Sequence, residues 1–214
     1  MTIKRLQAVR FRHTYSDFLN SPEYASAARF FLEELYGVRD FSVRDRQFSR
    51  IAVGLEALFP AAVAELAVDM TELHVLTERL DHGMAMAWQA TPTSDSMGTR
   101  YQAAWQLTGT LAERQRQLNV VFAIGKELQA LVRKRGIRTA LRLMRSPARA
   151  AGLESLQAFL EAGFDAFASM KDATFFMETI RDREQVWITR LFDTASDTCS
   201  QSLSAIWSQE SSAA

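Results

Sequence analysis

Apolar side chains recur every three or four residues over long stretches of the chain, and the longest unbroken pattern covers residues 61–90. The apolar positions there alternate steps of three and four, which is the spacing of a buried stripe on one face of an α-helix. The stripe consists of Val63, Leu66, Met70, Leu73, Thr77, Leu80, Met84 and Trp88. The pattern therefore predicts one long helix over residues 61–90.

Similar spacing predicts two further long helices and several short ones. A loop rich in Ser, Thr and Pro covers residues 91–98, followed by a helix over residues 99–135 and a last helix over residues 172–209. The last helix has only small, weakly apolar side chains at residues 193–202, so we expect its end to pack loosely. Shorter helices are predicted at residues 3–19, 22–37, 43–59 and 152–170.

Strand-like alternation is missing, and the chain holds only 4 prolines and 9 glycines to interrupt its helices. We therefore predict an all-α fold, an antiparallel bundle of about six to eight helices, three of them long, without a β-sheet. The length suits a single domain over residues 1–209, with residues 210–214 as a disordered tail. The core candidates are Leu66, Leu73, Leu80, Leu111, Leu118, Phe122 and Ile180.

Polar side chains form a second line along the helix of residues 61–90. His74, Glu78 and Asp81 lie four and three residues apart, so they project to one side of the helix beside the apolar stripe. Such a line is typical of a salt-bridged surface, or of a site in which a carboxylate orients a ligating imidazole. A single histidine does not complete a metal site, and neither a His-Glu-x-x-His nor a Glu-x-x-His motif is present.

His13 is the other histidine considered as a metal or haem ligand. An early histidine in an all-helical chain of this size is similar to the arrangement in haem oxygenases, but their glycine-rich distal-helix motif has no counterpart here. In the helix of residues 99–135, Arg114 and Gln115 interrupt the apolar stripe. They either face water at the edge of the bundle or face the line of His74 and its two acids and neutralise it.

The overall charge is balanced, with 25 basic and 25 acidic residues, which gives no long-range attraction to nucleic acid or to an anionic membrane. Residues 126–149 nevertheless hold eight bases and one acid, whereas residues 150–214 hold ten acids and four bases. The two segments are expected to pair within the fold or across a dimer. Alternatively, Arg142 and Arg145, with a helix that starts at Ser146 and Pro147, hold a phosphate or carboxylate.

The cellular compartment follows from the cysteine content and from the N-terminus. Cys199 is the single cysteine, which excludes an intramolecular disulfide and fits a reducing environment. The first residues carry charges too close together for a signal peptide, and no apolar run is long enough to span a bilayer. We expect a cytoplasmic protein.

Several stretches resemble one known family. They are ARFFLEELYGVRDFSVRDRQFSRI, LFP, ELHVLTERLD, LMRSPARAAGLESLQAFLEAGFDAFASM and IRDRE, and they extend from about residue 24 to residue 192. They are similar to a family of uncharacterised bacterial helical proteins that is defined as a domain of unknown function. The resemblance implies an all-helical fold and carries no established activity.

Two functions remain open at this stage. The first is a non-catalytic helical module, a homodimer, that binds a partner protein or an anionic small molecule. The second is an internal small-molecule, haem, iron or other metal site that supports oxidative chemistry. It would use His74 or His13 with Glu78 and Asp81, and the arginines Arg114, Arg142 and Arg145 would hold an anionic group.

Overall fold

The helix predicted over residues 61–90 is present with those bounds, and other helices pack around it. A computed structural model of the chain describes residues 2–35, 61–195 and 197–213. These ranges contain helices and no β-strand, which confirms the all-α bundle. The helix predicted at residues 43–59 lies outside the described residues. None of the described helices combines the length and the apolar character that crossing a membrane requires.

The α-helices are numbered in chain order, and a π-helical turn, Phe31–Leu35, directly follows the third. They are α1 Thr2–Thr14, α2 Ser16–Leu19, α3 Ala25–Phe30, α4 Ala61–Ala90, α5 Met97–Leu107, α6 Leu111–Val132, α7 Ile137–Leu143, α8 Arg145–Ala150, α9 Glu154–Ala168, α10 Ala173–Phe192 and α11 Thr198–Ala213. Helix α4 packs on α5 and α6, α6 packs on α10, and α11 packs on α5 and α1.

The prediction of one continuous helix over residues 99–135 is wrong. The chain leaves the helix after Leu107, and Gly109 has a φ of +78°, a left-handed conformation that favours glycine. Thr110 then begins α6 with a capping box: its hydroxyl accepts from the Glu113 N–H at 3.2 Å, and the Glu113 carboxylate accepts from the Thr110 N–H at 2.8 Å. The apolar spacing runs through this break, so periodicity alone does not reveal it.

The helix predicted over residues 172–209 is also broken, between Phe192 and Thr198. The expectation that its end packs loosely is wrong, because Cys199, Leu203 and Trp207 of α11 are buried. The indole N–H of Trp207 donates to the Leu6 carbonyl at 3.1 Å, which ties α11 to α1. Helix α11 continues to Ala213, within the segment for which the sequence predicts a disordered tail.

The buried apolar side chains form two clusters. The first core is made mainly by α3, α4, α6, α9 and α10 and includes Leu66, Leu128, Leu156 and Phe176. The second core is made mainly by α1, α5, α11 and the end of α10 and includes Met84, Tyr101, Leu191 and Leu203.

Most of the core candidates are buried in the structure. Those confirmed as buried are Leu66, Leu73, Leu80, Leu118 and Ile180. Phe122 is half-buried, and the prediction for Leu111 is wrong because that side chain is 51% exposed. Leu111 is the first residue of α6, and the break before it separates it from the apolar positions of α5.

Candidate ligand-binding cavity

A cavity of about 140 Å³ lies where the first core meets the second core. Helices α1, α4, α5, α6, α9 and α10 and the π-helical turn contribute to its wall. Much of that wall is apolar and consists of Phe11, Phe31, Met70, Leu73, Leu118, Val121, Phe159, Ile180 and Ile188. The volume is close to that of a roughly 150 Å³ apolar protein cavity that holds one benzene molecule.

Helix α1 lines the cavity with polar side chains that pair with acids of α4. Lys4 forms an ion pair with Glu78, and both side chains are partly exposed, at 31% and 44%. One turn further along α1, the Gln7 amide donates to the Asp81 carboxylate at 2.9 Å in a buried hydrogen bond. Spacings of three residues on both helices place these two contacts side by side.

A third polar contact joins α1 to α10. The Arg10 guanidinium donates two hydrogen bonds to the Glu184 carboxylate, at 3.0 and 2.8 Å, and the Tyr15 hydroxyl donates to the same carboxylate at 2.8 Å. The Arg10 and Glu184 side chains are only 5% and 12% exposed. Breaking such a buried pair leaves an uncompensated charge, so this contact fixes the position of α1 against α10.

Asp81 is the most deeply buried carboxyl group of the cavity wall, at 9% exposure. Burial raises its pKa because the charged form loses solvation, while the hydrogen bond from Gln7 and the charges of Lys4 and Arg114 oppose the shift. The net pKa is raised, so the neutral form of Asp81 is more favoured here than it is for a carboxyl group in water.

Helices α5 and α6 bring donor groups to the same cavity. Arg114 is 2% exposed, and its guanidinium stacks 3.7 Å from the centre of the Trp105 ring. Within the described residues, the buried Trp105 indole N–H and the buried Tyr101 hydroxyl make no direct hydrogen bond, although the Gln7 amide lies near that hydroxyl. Burial raises the pKa of Tyr101 to about 12, so its hydroxyl keeps its proton at neutral pH and can donate.

The structure brings four of the six predicted ligand-binding residues to this one cavity, namely His74, Glu78, Asp81 and Arg114. Of the two residues that interrupt the stripe of α6, Arg114 is the one that faces the line of acids. Gln115 instead donates to Asn119 on the surface. The role of the four residues in binding stays a prediction.

The other two arginines, Arg142 and Arg145, lie outside the cavity wall. Arg145 donates to both oxygens of Glu161, so its guanidinium is already occupied by a carboxylate of α9. Arg138 likewise pairs with Asp165 at 2.8 Å. These contacts support the expectation that the basic and acidic segments pair within the fold. Because the Arg145 guanidinium binds Glu161, it is not available for the predicted anion site.

The metal and haem hypotheses find little support in this geometry. His13 is exposed and away from the cavity. No group of three or more His, Cys, Asp or Glu side chains in the described ranges is placed to hold a metal ion. The cavity is also well below the roughly 300–1,000 Å³ of sites that hold drug-sized ligands, so a haem does not fit it.

Sequence reasoning missed the contributions of α1, α5 and α10 to the cavity. Lys4, Gln7 and Arg10 recur every three residues, which is the one local signal that a polar face of α1 turns inward. Tyr101 and Trp105 read as ordinary members of an apolar stripe. The Tyr101 hydroxyl and the Trp105 indole N–H become relevant only because the fold buries them in the wall of the cavity.

The fold and the cavity together define an all-α bundle with an internal cavity whose wall combines apolar and hydrogen-bonding side chains. The chain belongs to the family of the domain of unknown function DUF8198, whose profile matches residues 1–198. No curated protein and no solved structure matches the chain.

Proposed function

We propose that this protein is a non-catalytic binding module that holds a small amphipathic molecule in the cavity between its two cores. The observation that carries the proposal is the composition of the wall. Apolar side chains such as Leu73, Val121 and Ile180 share one cavity with the buried polar groups of Asp81 and Arg114. Ligand sites are typically mostly apolar with a few placed polar groups, and the cavity has that composition.

The two kinds of side chain in the wall would have different roles. Burial of a ligand against the apolar side chains releases water and supplies most of the affinity. The polar side chains would orient the ligand, because buried donors and acceptors favour the molecule that satisfies them. Glu78 and Glu184 are engaged by Lys4 and Arg10, which supports a role for these acids in holding the wall together rather than in proton transfer.

A cavity-filling substitution tests the proposal. Val121 lines the cavity and its neighbour Val120 does not, although both are half-buried and pack on the first core. In Val121→Phe, the larger side chain is expected to occupy the space and abolish binding, and Val120→Phe is the matched control.

Binding is measured by calorimetric titration and by thermal shift with benzoate, benzamide, benzylamine and their six-carbon chain counterparts hexanoate, hexanamide and hexylamine. We expect at least one compound to bind the wild type and Val120→Phe but not Val121→Phe. Equal binding to both variants, or no binding by any compound, would contradict the proposal.

A homodimer is the second part of the proposal, and exposed apolar side chains near the start of α6 favour it. Leu107 is 73% exposed, Leu111 is 51% exposed and Val186 is 48% exposed. Leu111 lines a shallow surface groove with Phe192. Light scattering coupled to gel filtration should give a dimer mass for the wild type and a monomer mass for Leu107→Ser/Leu111→Ser. A wild-type monomer at micromolar concentration would exclude it.

The cytoplasm is the compartment we propose for this activity. The support is the single cysteine, Cys199, whose side chain is buried in the second core and whose pKa is raised by burial. A buried, uncharged thiol is stable in a reducing compartment. Fractionation of cells that produce the native protein would test this.

A further inference from the structure

We infer that the cavity recognises its ligand through a carboxylate group, which is held by Tyr101, Trp105 and Arg114, and that the ligand's apolar part lies against α6 and α10. The ligand class is then a small monocarboxylic acid with a body about the size of one benzene ring. This inference depends on the proposed function, because it specifies which molecule the same cavity binds.

Helix α5 presents two hydrogen-bond donors to the cavity. Tyr101 and Trp105 are four residues apart, so both project to the same side of the helix, and both line the cavity. An indole N–H can only donate, and the buried Tyr101 hydroxyl keeps its proton at neutral pH. Since neither atom makes a direct hydrogen bond in the described part of the chain, an acceptor oxygen of a ligand would satisfy both.

The charge beside these donors is positive. The guanidinium of Arg114 lies against the Trp105 ring, so a buried positive charge adjoins the indole that carries the donor. An ionised carboxylate gains from the Arg114 charge as well as from the two donors, whereas a neutral carbonyl gains only from the donors.

A nearby acid, Asp81, opposes this charge. Asp81 lies close enough to feel the charge of Arg114, yet its pKa is raised by burial, which favours its neutral form. The raised pKa of Asp81 reduces the cost of placing a ligand carboxylate nearby, because a second negative charge favours the protonated form of Asp81 further. Phosphate esters fit this position less well, because they are larger and carry more negative charge beside Glu34, Glu78 and Glu184, which also line the cavity.

Helices α6 and α10 also offer apolar side chains to a ligand, namely Leu118, Val121, Ile180 and Ile188. An aromatic ring or a short alkyl chain would be buried against them. A carboxylate is disfavoured there, because an ion without a polar partner is costly in an apolar environment and because Glu184, on the same face of α10 between Ile180 and Ile188, is itself an acid.

The test compares benzoate with benzamide and benzylamine by calorimetric titration, because the three share one ring and differ in charge. The variants are Tyr101→Phe and Arg114→Met. Their matched controls are Tyr24→Phe and Arg100→Met, since Tyr24 lies outside the cavity and Arg100 stacks on a different tryptophan, Trp88, at 4.2 Å. Circular dichroism and thermal melting verify that each variant is folded.

We expect wild type to bind benzoate at least about tenfold more tightly than benzamide, and each of the two variants to lose at least about tenfold in benzoate affinity. The two controls should keep the wild-type affinity. If Arg114→Met does not fold, Tyr101→Phe and Trp105→Phe decide the question.

Three results would overturn the inference in distinguishable ways. If benzamide or benzylamine binds as tightly as benzoate, and Val121→Phe abolishes that binding, the carboxylate assignment is wrong while the proposed cavity function stands. If benzoate binding is unchanged in Tyr101→Phe and Arg114→Met, the assigned groups are wrong. If none of the ring and chain compounds binds the wild type, the inference and the proposed function are both wrong.

Discussion

Replacement of Gly98 by alanine should separate α11 from α5, the helix that carries Tyr101 and Trp105. Gly98 is buried in the first turn of α5, and its N–H donates to the Ser204 hydroxyl of α11 at 3.0 Å. A Cβ atom at this position would lie 1.8 Å from the Ser200 carbonyl oxygen and 2.6 Å from the Ser204 hydroxyl. Because the nearest atom belongs to the backbone of α11, no side-chain rotation can relieve the clash.

The size of the effect follows from that geometry. A real Cβ atom keeps at least 3.0 Å from such a neighbour, so the helices must move apart by about 1.2 Å, the difference between 3.0 and 1.8 Å. Overpacking of this kind costs about 1–3 kcal/mol, and loss of the hydrogen bond to Ser204 adds about 1 kcal/mol. The higher helix propensity of alanine returns less than about 1 kcal/mol. We expect a net loss of about 1–4 kcal/mol, or a fall in Tm of roughly 2–16 °C for a chain of this length.

Gly125→Ala is the matched control, because it places a methyl group in another buried helix position. Its Cβ atom would meet only the Met177 side chain, with the Cε and Sδ atoms at 2.3 and 2.7 Å. Methionine is flexible and can move aside, so the free energy of unfolding should stay within about 1 kcal/mol of wild type. Urea unfolding followed by circular dichroism measures both variants. Equal stability of Gly98→Ala and Gly125→Ala would refute the close packing of α11 on α5.

Three further predictions concern the polar contacts. Arg10→Met should destabilise the protein by about 3–5 kcal/mol in urea unfolding, because it leaves Glu184 buried without its partner. The double variant Arg10→Met/Glu184→Leu should recover most of that loss. No recovery in the double variant would refute the prediction. Because the folded pKa of Asp81 is raised, its stabilising contribution is present below the unfolded value of 3.8 and is lost as pH rises through the folded pKa. Asp81→Asn should therefore gain stability over wild type as pH rises, and a difference that is constant with pH would contradict the burial argument. Arg183 lowers the pKa of Asp17, so the contribution of Asp17 to the free energy of unfolding is present above pH 3.8 and is lost as pH falls through the lower folded pKa. Asp17→Asn should therefore flatten the acid side of a plot of stability against pH. An unchanged plot would refute the pairing.

Local patterns could predict the helices but not all of their ends. The stripe from Val63 to Trp88 has no competing signal, so α4 could be predicted with its bounds. The break at Gly109 was hidden because Trp105, Thr108 and Leu111 keep the helical spacing across it. The capping box at Thr110 was the signal that could have revealed it.

The cavity could be predicted only in part, for a physical reason. His74, Glu78 and Asp81 lie side by side because of helix geometry alone, and their spacing can be read from the sequence. Their neighbours come from distant parts of the chain, as Gln7 does for Asp81, and local spacing does not specify which helices meet. The polar face of α1 that turns inward and the donor groups of α5 could therefore be identified only from the structure.

The most direct test of the central claim is a methyl-resolved NMR titration of the protein with the tightest-binding member of the benzoate and hexanoate series. If the ligand occupies the cavity, intermolecular nuclear Overhauser effects should connect it to the methyl groups of Leu118, Ile180 and Ile188, which line the wall. Leu203 and Ile206, buried in the second core away from the cavity, should show none. Contacts confined to Leu203 and Ile206, or no contact with any buried methyl group at saturating ligand, would contradict the account.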